Sequence, residues 1–494
     1  MGGKAAAGSY ESYKTSAYLS GSKNNLSYAF TGNYYDSDGY RDNSETEAKD
    51  LGLDLGYRLG ELGALNLSYG WHKDKTSMSG ALTDSDFNNG ANRKDTKYPD
   101  DYADTEDYYI KFSPEFYFLS DSIFKVDLSY RNRDTKSHYD EYNSDFKSEI
   151  DTFAINPQFI IHEKIFEKQN TLTFGYDYSK TEDDVKNTTY GIDVDMEKEN
   201  YGLYVHDELM ILQDLGLSAG YRYDRVEYEF DTSDPGTIRK TFDEDLFTAG
   251  INYRLNSKSN IYAAFSRSFR YPVLDETYSY FTSELVPELS PQTSDDFEIG
   301  IRHFITDTLR ISMSLFKIDT EDEIFYNPAL YSNMNLDGDT DREGVEISLK
   351  NSFKWGTGSI AYTYTKAEID GGMYDNNDIP NVPEHQASAT AVIDLWKPFT
   401  LSINSTYIGR RPFISDFNDN LKDQDDYVVV NTKLQYKRKK VTAFLDINNL
   451  FDKEYDEYGV RAEKYDDFFN FLGYERSYYP SPGINFMAGL TLDF

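Results

Sequence analysis

The chain ends in the stretch GINFMAGLTLDF, residues 483–494. Every second residue of this stretch is apolar, in the series Ile484, Phe486, Ala488, Leu490, Leu492 and Phe494. The residues between them are Asn485, Met487, Gly489, Thr491 and Asp493, which are mostly small or polar. Because successive side chains of a strand point to opposite faces, this period of two predicts a strand whose two faces lie in different surroundings.

The same alternation recurs along the chain and predicts strands at 51–59, 65–72, 215–223, 247–255, 387–395 and 399–407. The first two are separated by a turn and are predicted to form a hairpin. In the first of them Leu53 lies on the apolar face and Asp54 on the opposite face. A β-sandwich also alternates in this way, so the period alone leaves the architecture open.

Composition excludes several classes of protein. Only 39% of the 494 residues are hydrophobic, which is lean for several packed cores, yet 16% are aromatic, which is atypical of a disordered chain. A net charge of −36 argues against binding to nucleic acid, because phosphates need positive partners. The lack of cysteine excludes disulfides and thiolate metal sites. No run reaches the roughly 18 apolar residues that a membrane helix needs.

The connections between the predicted strands are of two kinds. Short ones lie at 22–24, 61–63, 213–214, 257–258, 354–356 and 396–398. Long, acidic ones rich in Tyr and Asn lie at 75–104, 133–147 and 409–426. Outer-membrane β-barrels show this asymmetry, and a sheet in lipid must close because no water is present to satisfy free edges. We therefore predict an all-β transmembrane antiparallel barrel, a single domain over residues 1–494, with about 21 recognisable strands.

Motifs in the second half of the chain carry a resemblance to a known family. They are NIYAAFSRSFRYPVLDE (260–276), VPELSPQTSDDFEIGIR (286–302), DREGVEISL (341–349), IPNVPEH (379–385), INNLFDKEY (447–455) and YYPSPGINFMAGLTLDF (478–494). In this order they resemble the barrel of TonB-dependent outer-membrane receptors. The chain departs from the family where Val286 and Pro287 stand in place of Asn-Pro, and where Gln292 stands in place of the usual Glu.

The resemblance implies a barrel of about 22 strands in the bacterial outer membrane, with long extracellular loops and short periplasmic turns. No plug domain, TonB box or signal peptide is recognised, and the first strand is missing or reduced to MGGKAAAG, residues 1–8. In the family, the loops and the plug bind a large scarce nutrient such as a ferric siderophore or a cobalamin. A TonB protein then supplies energy through the plug.

The same resemblance implies several partners. They are outer-membrane lipid and lipopolysaccharide, the TonB complex, the barrel assembly machinery and a metal-chelate ligand. Phe494 resembles the C-terminal aromatic signal that the assembly machinery reads. The loop acids could share the divalent cations that bridge lipopolysaccharide, or they could recognise a cationic ligand, and the sequence does not separate the two.

Three residues at the loop end of a family-like strand are candidates for contact with ligand: Arg267, Arg270 and Tyr271. Arginine suits the carboxylate and phosphate groups of an anionic chelate. Ion pairing in the lumen and membership of the aromatic girdle are the alternative, since charged lumen residues are usual in barrels.

The acidic stretches DSDGY (36–40) and DGDTDREG (337–344) resemble calcium loops only in their spaced carboxylates. The second has Arg342 in the position that requires glycine and Ser348 in place of the final bidentate glutamate. An EF-hand is therefore rejected, and we expect solvated loop carboxylates, with no metal site and no cofactor.

Other functions remain as alternatives. A passive porin-like channel or a surface adhesion barrel would need the same strands. A barrel hydrolase would need Ser, His and Asp to meet at the loop end. The sequence has no Gly-x-Ser-x-Gly elbow and no paired metal-binding histidines, so we expect no enzymatic activity. The scattered histidines are His72, His138, His162, His206, His303 and His385.

Overall fold

The computed structural model of the chain describes residues 1–119, 121–187, 189, 191–232, 236–279, 284–286, 288–327, 330–466, 468 and 470–494. Pro287, which belongs to one of the motifs above, lies outside these residues. Among the described residues, no helix combines the length and the apolar character that crossing a membrane requires.

The dominant feature is a single antiparallel sheet of 22 strands. Its strands, in chain order, are β1 (Gly2–Gly8), β2 (Tyr13–Lys23), β3 (Leu26–Ser37), β4 (Thr46–Arg58), β5 (Gly63–Ser77), β6 (Tyr102–Phe118), β7 (Ser122–Tyr139), β8 (Ser144–Ile165), β9 (Lys168–Asn187), β10 (Ile192–Leu212), β11 (Leu215–Thr232), β12 (Ile238–Asn256), β13 (Ser259–Arg270), β14 (Gln292–Phe304), β15 (Leu309–Glu321), β16 (Asp339–Phe353), β17 (Gly356–Asp370), β18 (His385–Trp396), β19 (Phe399–Ile408), β20 (Tyr427–Arg438), β21 (Val441–Asn448) and β22 (Asn485–Asp493).

The sheet closes on itself through its first and last strands. β1 pairs with β2 on one side and with β22 on the other, where the register runs from Gly2 opposite Asp493 to Gly8 opposite Met487. The fold class predicted from the sequence is confirmed, and the strand that brings the count from about 21 to 22 is the seven-residue β1. Closure leaves no free sheet edge at membrane depth, as a barrel in lipid requires.

The two ends of the barrel differ in the length of their connections. At the short-turn end, which holds Met1 and Phe494, each connection has two to four residues. At the long-loop end the connections range from four to 36 residues, and the longest is 449–484. The predicted asymmetry is confirmed, but the prediction of a long connection at 133–147 is wrong. There β7 and β8 extend to a four-residue turn at 140–143, because their polar residues continue the ladder above the membrane.

The outer face carries the predicted apolar residues. Phe30, Leu53, Tyr69 and Ile110 are direct partners on four neighbouring strands, so they form one row around the barrel. On the opposite face Asp54 accepts a hydrogen bond of 2.6 Å from the hydroxyl of Ser68. The parity predicted for Leu53 and Asp54 therefore holds across neighbouring strands, with lipid outside and polar groups in the lumen.

An aromatic girdle marks the upper limit of the apolar band. The rings of Tyr178 and Tyr201 lie 5.3 Å apart on the outer face, and the hydroxyl of Tyr201 donates to Glu199 just above. Higher still, Lys180 contacts Glu197 at 2.9 Å in a band of ion pairs. Rings at the interface with charges beyond them are the pattern expected of a barrel wall that leaves the bilayer.

Smaller elements lie in the long loops. The two-residue strands are Leu82–Thr83, Tyr278–Ser279 and Glu284–Leu285, and the longer loop strands are Ile324–Asn327, Ser332–Asn335, Asp456–Tyr465 and Phe471–Pro480. One short α-helix, Asp84–Asn88, and the 3-10 turns Asp140–Tyr142, Leu274–Thr277 and Gly372–Tyr374 also lie there, whereas the 3-10 turn Gly60–Leu62 lies at the short-turn end.

Candidate functional site

The long loops converge through aromatic contacts. The ring of Phe417 lies 4.4 Å from that of Phe325 and 5.5 Å from that of Tyr374. These three residues come from three different loops, 409–426, 322–338 and 371–384. Aromatic pairs at such distances bury large areas and favour defined geometry, so the loops hold one another in place.

A β-hairpin made by Asp456–Tyr465 and Phe471–Pro480 joins this assembly. Buried Arg411 donates to the carbonyl oxygen of Glu457 at 2.6 Å. The backbone of Ile414 also donates to Gly459 O at 2.9 Å. Leu82–Thr83 pairs with the other edge of the hairpin, so its strands are covered on both sides.

A second cluster fixes the loop segment 271–279 against the inner face of the tall strands β9–β12. Its buried residues are Val185, Val194, Met196, Val226, Tyr228, Phe230, Tyr271, Leu274 and Tyr278. Burying these side chains stabilises the docked loop, at about 1.5–3 kcal/mol for each large one relative to exposure.

Lys198 lies against this cluster, above the girdle. Its Nζ donates to Pro272 O at 2.9 Å and lies 5.4 Å from the centre of the Tyr228 ring. Burial lowers its pKa from 10.5 to about 8, and nearby Arg270 acts in the same direction, while Glu276 opposes them. The amine therefore fastens the loop through a hydrogen bond and ring contacts rather than through an ion pair.

The three candidate residues from the sequence lie near this loop but are not brought together on one surface. Arg267 pairs with Asp295 at 3.2 Å. Arg270 makes two contacts, of 2.7 and 2.8 Å, with the carboxylate of Glu276. Tyr271 is buried, with 5% of its surface exposed. Their role in binding ligand stays a prediction, since both arginines already pair with carboxylates of the protein and the tyrosine is buried.

The stretch 337–344, for which we expected solvated loop carboxylates, lies mainly in strand β16 rather than in a loop. Three other carboxylates, those of Asp184, Asp193 and Asp195, have oxygens within 4.8 Å of one another on the outer face. The sequence did not indicate this group because β9 and β10 bring it together, with Asp184 opposite Asp195. Lys186 pairs with Asp184 at 2.5 Å and offsets part of its charge.

Serine and histidine meet at a position that does not suit a hydrolase. The Oγ of Ser259 lies 2.9 Å from Nδ1 of His303. Both residues are at the short-turn end, and the contacts found for His303 among the described residues include no carboxylate. A hydrolytic triad needs a third group that orients the histidine.

The closed sheet, the apolar outer row, the girdle and the asymmetric ends define a transmembrane β-barrel of the outer-membrane class, with a loop assembly at one end. The sequence model of the TonB dependent receptor-like β-barrel matches residues 3–450. The chain belongs to this family, whose place is the bacterial outer membrane, and the family and its structural neighbours are transport receptors, not enzymes.

Curated relatives match about half of the chain. The probable TonB-dependent siderophore receptor PiuA of Acinetobacter baumannii is 24% identical over 289 residues, 53% of this chain and 38% of that protein. The ferrichrome outer membrane transporter/phage receptor of Escherichia coli is 25% identical over 278 residues, 52% of this chain and 35% of that protein. The matched region thus spans little more than a third of the curated relatives.

Solved structures show the same fold over the whole chain. The ferric-catecholate import receptor Fiu of E. coli K12 has a TM-score of 0.83 at 16% identity, covering 100% of this chain and 81% of that one. The ferric citrate transporter FecA has a TM-score of 0.82 at 17% identity, with coverages of 100% and 78%.

Proposed function

We propose that this barrel is the membrane-spanning part of an active-transport receptor for a large scarce nutrient, such as a ferric siderophore or a cobalamin. The family match over residues 3–450 is the observation that carries the proposal. The relatives include a probable siderophore receptor, a ferrichrome outer membrane transporter/phage receptor and, in Vibrio cholerae, a vitamin B12 transporter. The loop assembly around Phe417 is the place where we expect the nutrient to be recognised first.

The energy and the partners belong to the same proposal. A barrel of 22 strands encloses a lumen that transporters of this size fill with a plug. We infer that a plug completes the receptor, and that a TonB protein acts on it. Lipopolysaccharide around the charged outer band, the barrel assembly machinery at Phe494 and a metal-chelate ligand are the remaining proposed partners.

The test is uptake by cells that make the complete reading frame. Labelled ferric citrate, ferrichrome and cobalamin are supplied to iron-starved or cobalamin-limited cells with and without a functional TonB protein. We expect accumulation of at least one of them that requires both the receptor and TonB.

Uptake of none of the three would count against the proposal. Uptake that persists without TonB would instead favour the passive channel. A variant with the loop 409–426 shortened serves as the internal control, since it should still assemble in the membrane but lose binding.

A further inference from the structure

A groove of about 440 Å³ crosses the outer face of the wall between strands β12 and β15. Direct strand partners line it in two rows. The row nearer the long loops consists of Ile251, Ala263, Ile299 and Leu315, and the row below it includes the partners Ile261 and Ile301. Ala263 is the small member of its row and stands between two isoleucines, so the wall is indented at this residue.

The groove is bounded by aromatic rings above and by a polar pair below. Above Ala263, the rings of Phe265 and Phe297 lie 4.8 Å apart. Below it, the direct partners Ser259 and His303 meet, with 2.9 Å from Oγ to Nδ1. The four residues from Ser259 to Ala263 span about 10 Å of height in a tilted strand, within an apolar band about 25 Å tall. The groove therefore lies in the half of the bilayer nearest the short turns.

Hydrocarbon must fill this groove in a membrane. Water is absent at this depth, and an empty space would forfeit dispersion contacts with the lining. Because lipid tails are as apolar as the lining, shape rather than the hydrophobic effect selects the occupant. A narrow indentation between isoleucines fits a single acyl chain, whereas a second copy of the barrel would need a broad contact of about 800 Å² on each partner.

The polar pair at the lower limit offers a hydrogen-bond donor to a lipid headgroup. Ser259 and His303 have the same parity as Ile261 and Ile301, so both lie on the outer face. When the serine hydroxyl donates to Nδ1, the imidazole proton lies on Nε2, for which no partner is found among the described residues. A phosphate oxygen is a strong acceptor for such a donor.

We propose that the groove at Ala263 binds one phospholipid of the periplasmic leaflet, with an acyl chain against Ala263 and the phosphate at His303. Lipopolysaccharide occupies the opposite leaflet, on the side of the long loops, so a phospholipid is the lipid that reaches this position. The inference does not depend on the transported nutrient, because it concerns the wall of the barrel alone.

The test is native mass spectrometry of the 494-residue chain in detergent, titrated with dioleoyl phosphatidylglycerol. For Ala263→Phe, which fills the indentation, we expect the first lipid to bind about tenfold more weakly, the ratio that follows from losing roughly ten carbon contacts. Ala389→Phe is the matched control on the outer face of β18, opposite Ile360, and should stay within about twofold. Both variants keep an apolar side chain in lipid, so both should retain the folded gel migration.

A second pair of variants tests the headgroup contact. His303→Phe keeps a ring but removes the donor, so phosphatidylglycerol should bind about tenfold more weakly, as expected for a hydrogen bond to a charged group. Dioleoylglycerol, which has the same chains and no phosphate, should bind equally to both forms. His162→Phe is the control, because His162 makes a similar 3.1 Å contact with Thr171 but faces the lumen.

Equal binding of phosphatidylglycerol by Ala263→Phe and Ala389→Phe would overturn the site. An equal loss of both lipids in His303→Phe would overturn the phosphate contact. Tighter binding of lipid A than of phosphatidylglycerol, or a dimer of the chain that Ala263→Phe disrupts, would overturn the choice of occupant.

Discussion

At the scale of single residues, the side of the wall on which a residue lies decides the effect of a substitution. Leu53 shares the outer row with Phe30 and Tyr69, whereas Asp54 points to the lumen and bonds to Ser68. A charge on the lipid side has no water to solvate it, while a change in the lumen exchanges one hydrated group for another.

Leu53→Arg should therefore destabilise the folded barrel by about 2–4 kcal/mol if its row lies near the midplane. Asp54→Asn should change the stability by well under 1 kcal/mol, because the amide can still accept from Ser68. Both effects are measured as changes in the free energy of unfolding, obtained by urea titration of each variant in lipid vesicles. A larger effect of Asp54→Asn than of Leu53→Arg would mean that the faces are inverted.

Lys198 gives the docking of the loop segment 271–279 a dependence on pH. In the docked state its pKa is about 8, below the value of 10.5 that applies once the loop is released and the amine is solvated. Between these values the released state binds more protons, so docking becomes more favourable as pH rises, at about 1.4 kcal/mol per unit of pKa shift. Tyr228 and Tyr271 have pKa values raised by burial, so above pH 10 they reverse the trend.

A spin label at Val273→Cys tests this dependence, since the chain has no other cysteine. We expect the label to become less mobile from pH 8 to about pH 10 and more mobile above it. In Lys198→Met, which cannot titrate, the change between pH 8 and 10 should disappear. A label whose mobility rises steadily from pH 8 upwards would show that Lys198 does not control the loop.

At the scale of elements, the sequence predicts strands well and loop structure poorly. Alternation fixes both the strand and its face, because lipid and lumen impose opposite demands on neighbouring residues. The last strand and the hairpin of β4 and β5 follow directly from it. The turn at 140–143 could not be predicted, since above the membrane both faces of β7 and β8 are wet and the alternation fades.

The loop contacts have no comparable signal. Phe325 and Phe417 come from different loops and meet only through tertiary packing. The hairpin that places Arg461 opposite Arg476 lies inside the long connection 449–484. The candidates Arg267, Arg270 and Tyr271 came from a motif, which located the start of a loop but not the carboxylates that occupy both arginines. The sequence therefore located the loop end of the barrel but did not predict which side-chain contacts form there.

The junction of β22 with β1 makes a prediction for Gly489. A Cβ on this residue would lie 2.6 Å from Ala5 O and 2.6 Å from Cζ of Phe444. Gly489→Val should therefore cost about 1–3 kcal/mol through overpacking. Gly358→Val, where the nearest atom to the Cβ is 3.6 Å away, is the control and should be mild.

The temperature at which the folded form loses its distinct gel migration measures both variants. We expect it to fall for Gly489→Val and to stay near the original value for Gly358→Val. Equal temperatures would show that the glycine is not needed for the close approach of these strands.

At the scale of the whole molecule, the chain combines an acidic composition with a membrane fold. The chain carries a net charge of −36, and its charged groups include ion pairs above the apolar band, such as Lys180 with Glu197, and lumen residues such as Asp54. The lean hydrophobic content that argued against several packed cores is what a barrel needs, since only one face of each strand meets lipid. Composition, parity and loop asymmetry therefore agree on one architecture.

Closure between the first and last strands is the central claim, and a disulfide tests it directly. Ala7 and Ala488 are direct partners across β1 and β22, at a spacing that suits a disulfide. The double variant Ala7→Cys with Ala488→Cys, folded in detergent and oxidised, should form the bond in nearly all molecules, which a shift in denaturing gels reports. Ala7→Cys with Ala389→Cys should form none. Free thiols in the first variant, in molecules that still show the folded migration, would contradict a barrel closed through these two strands.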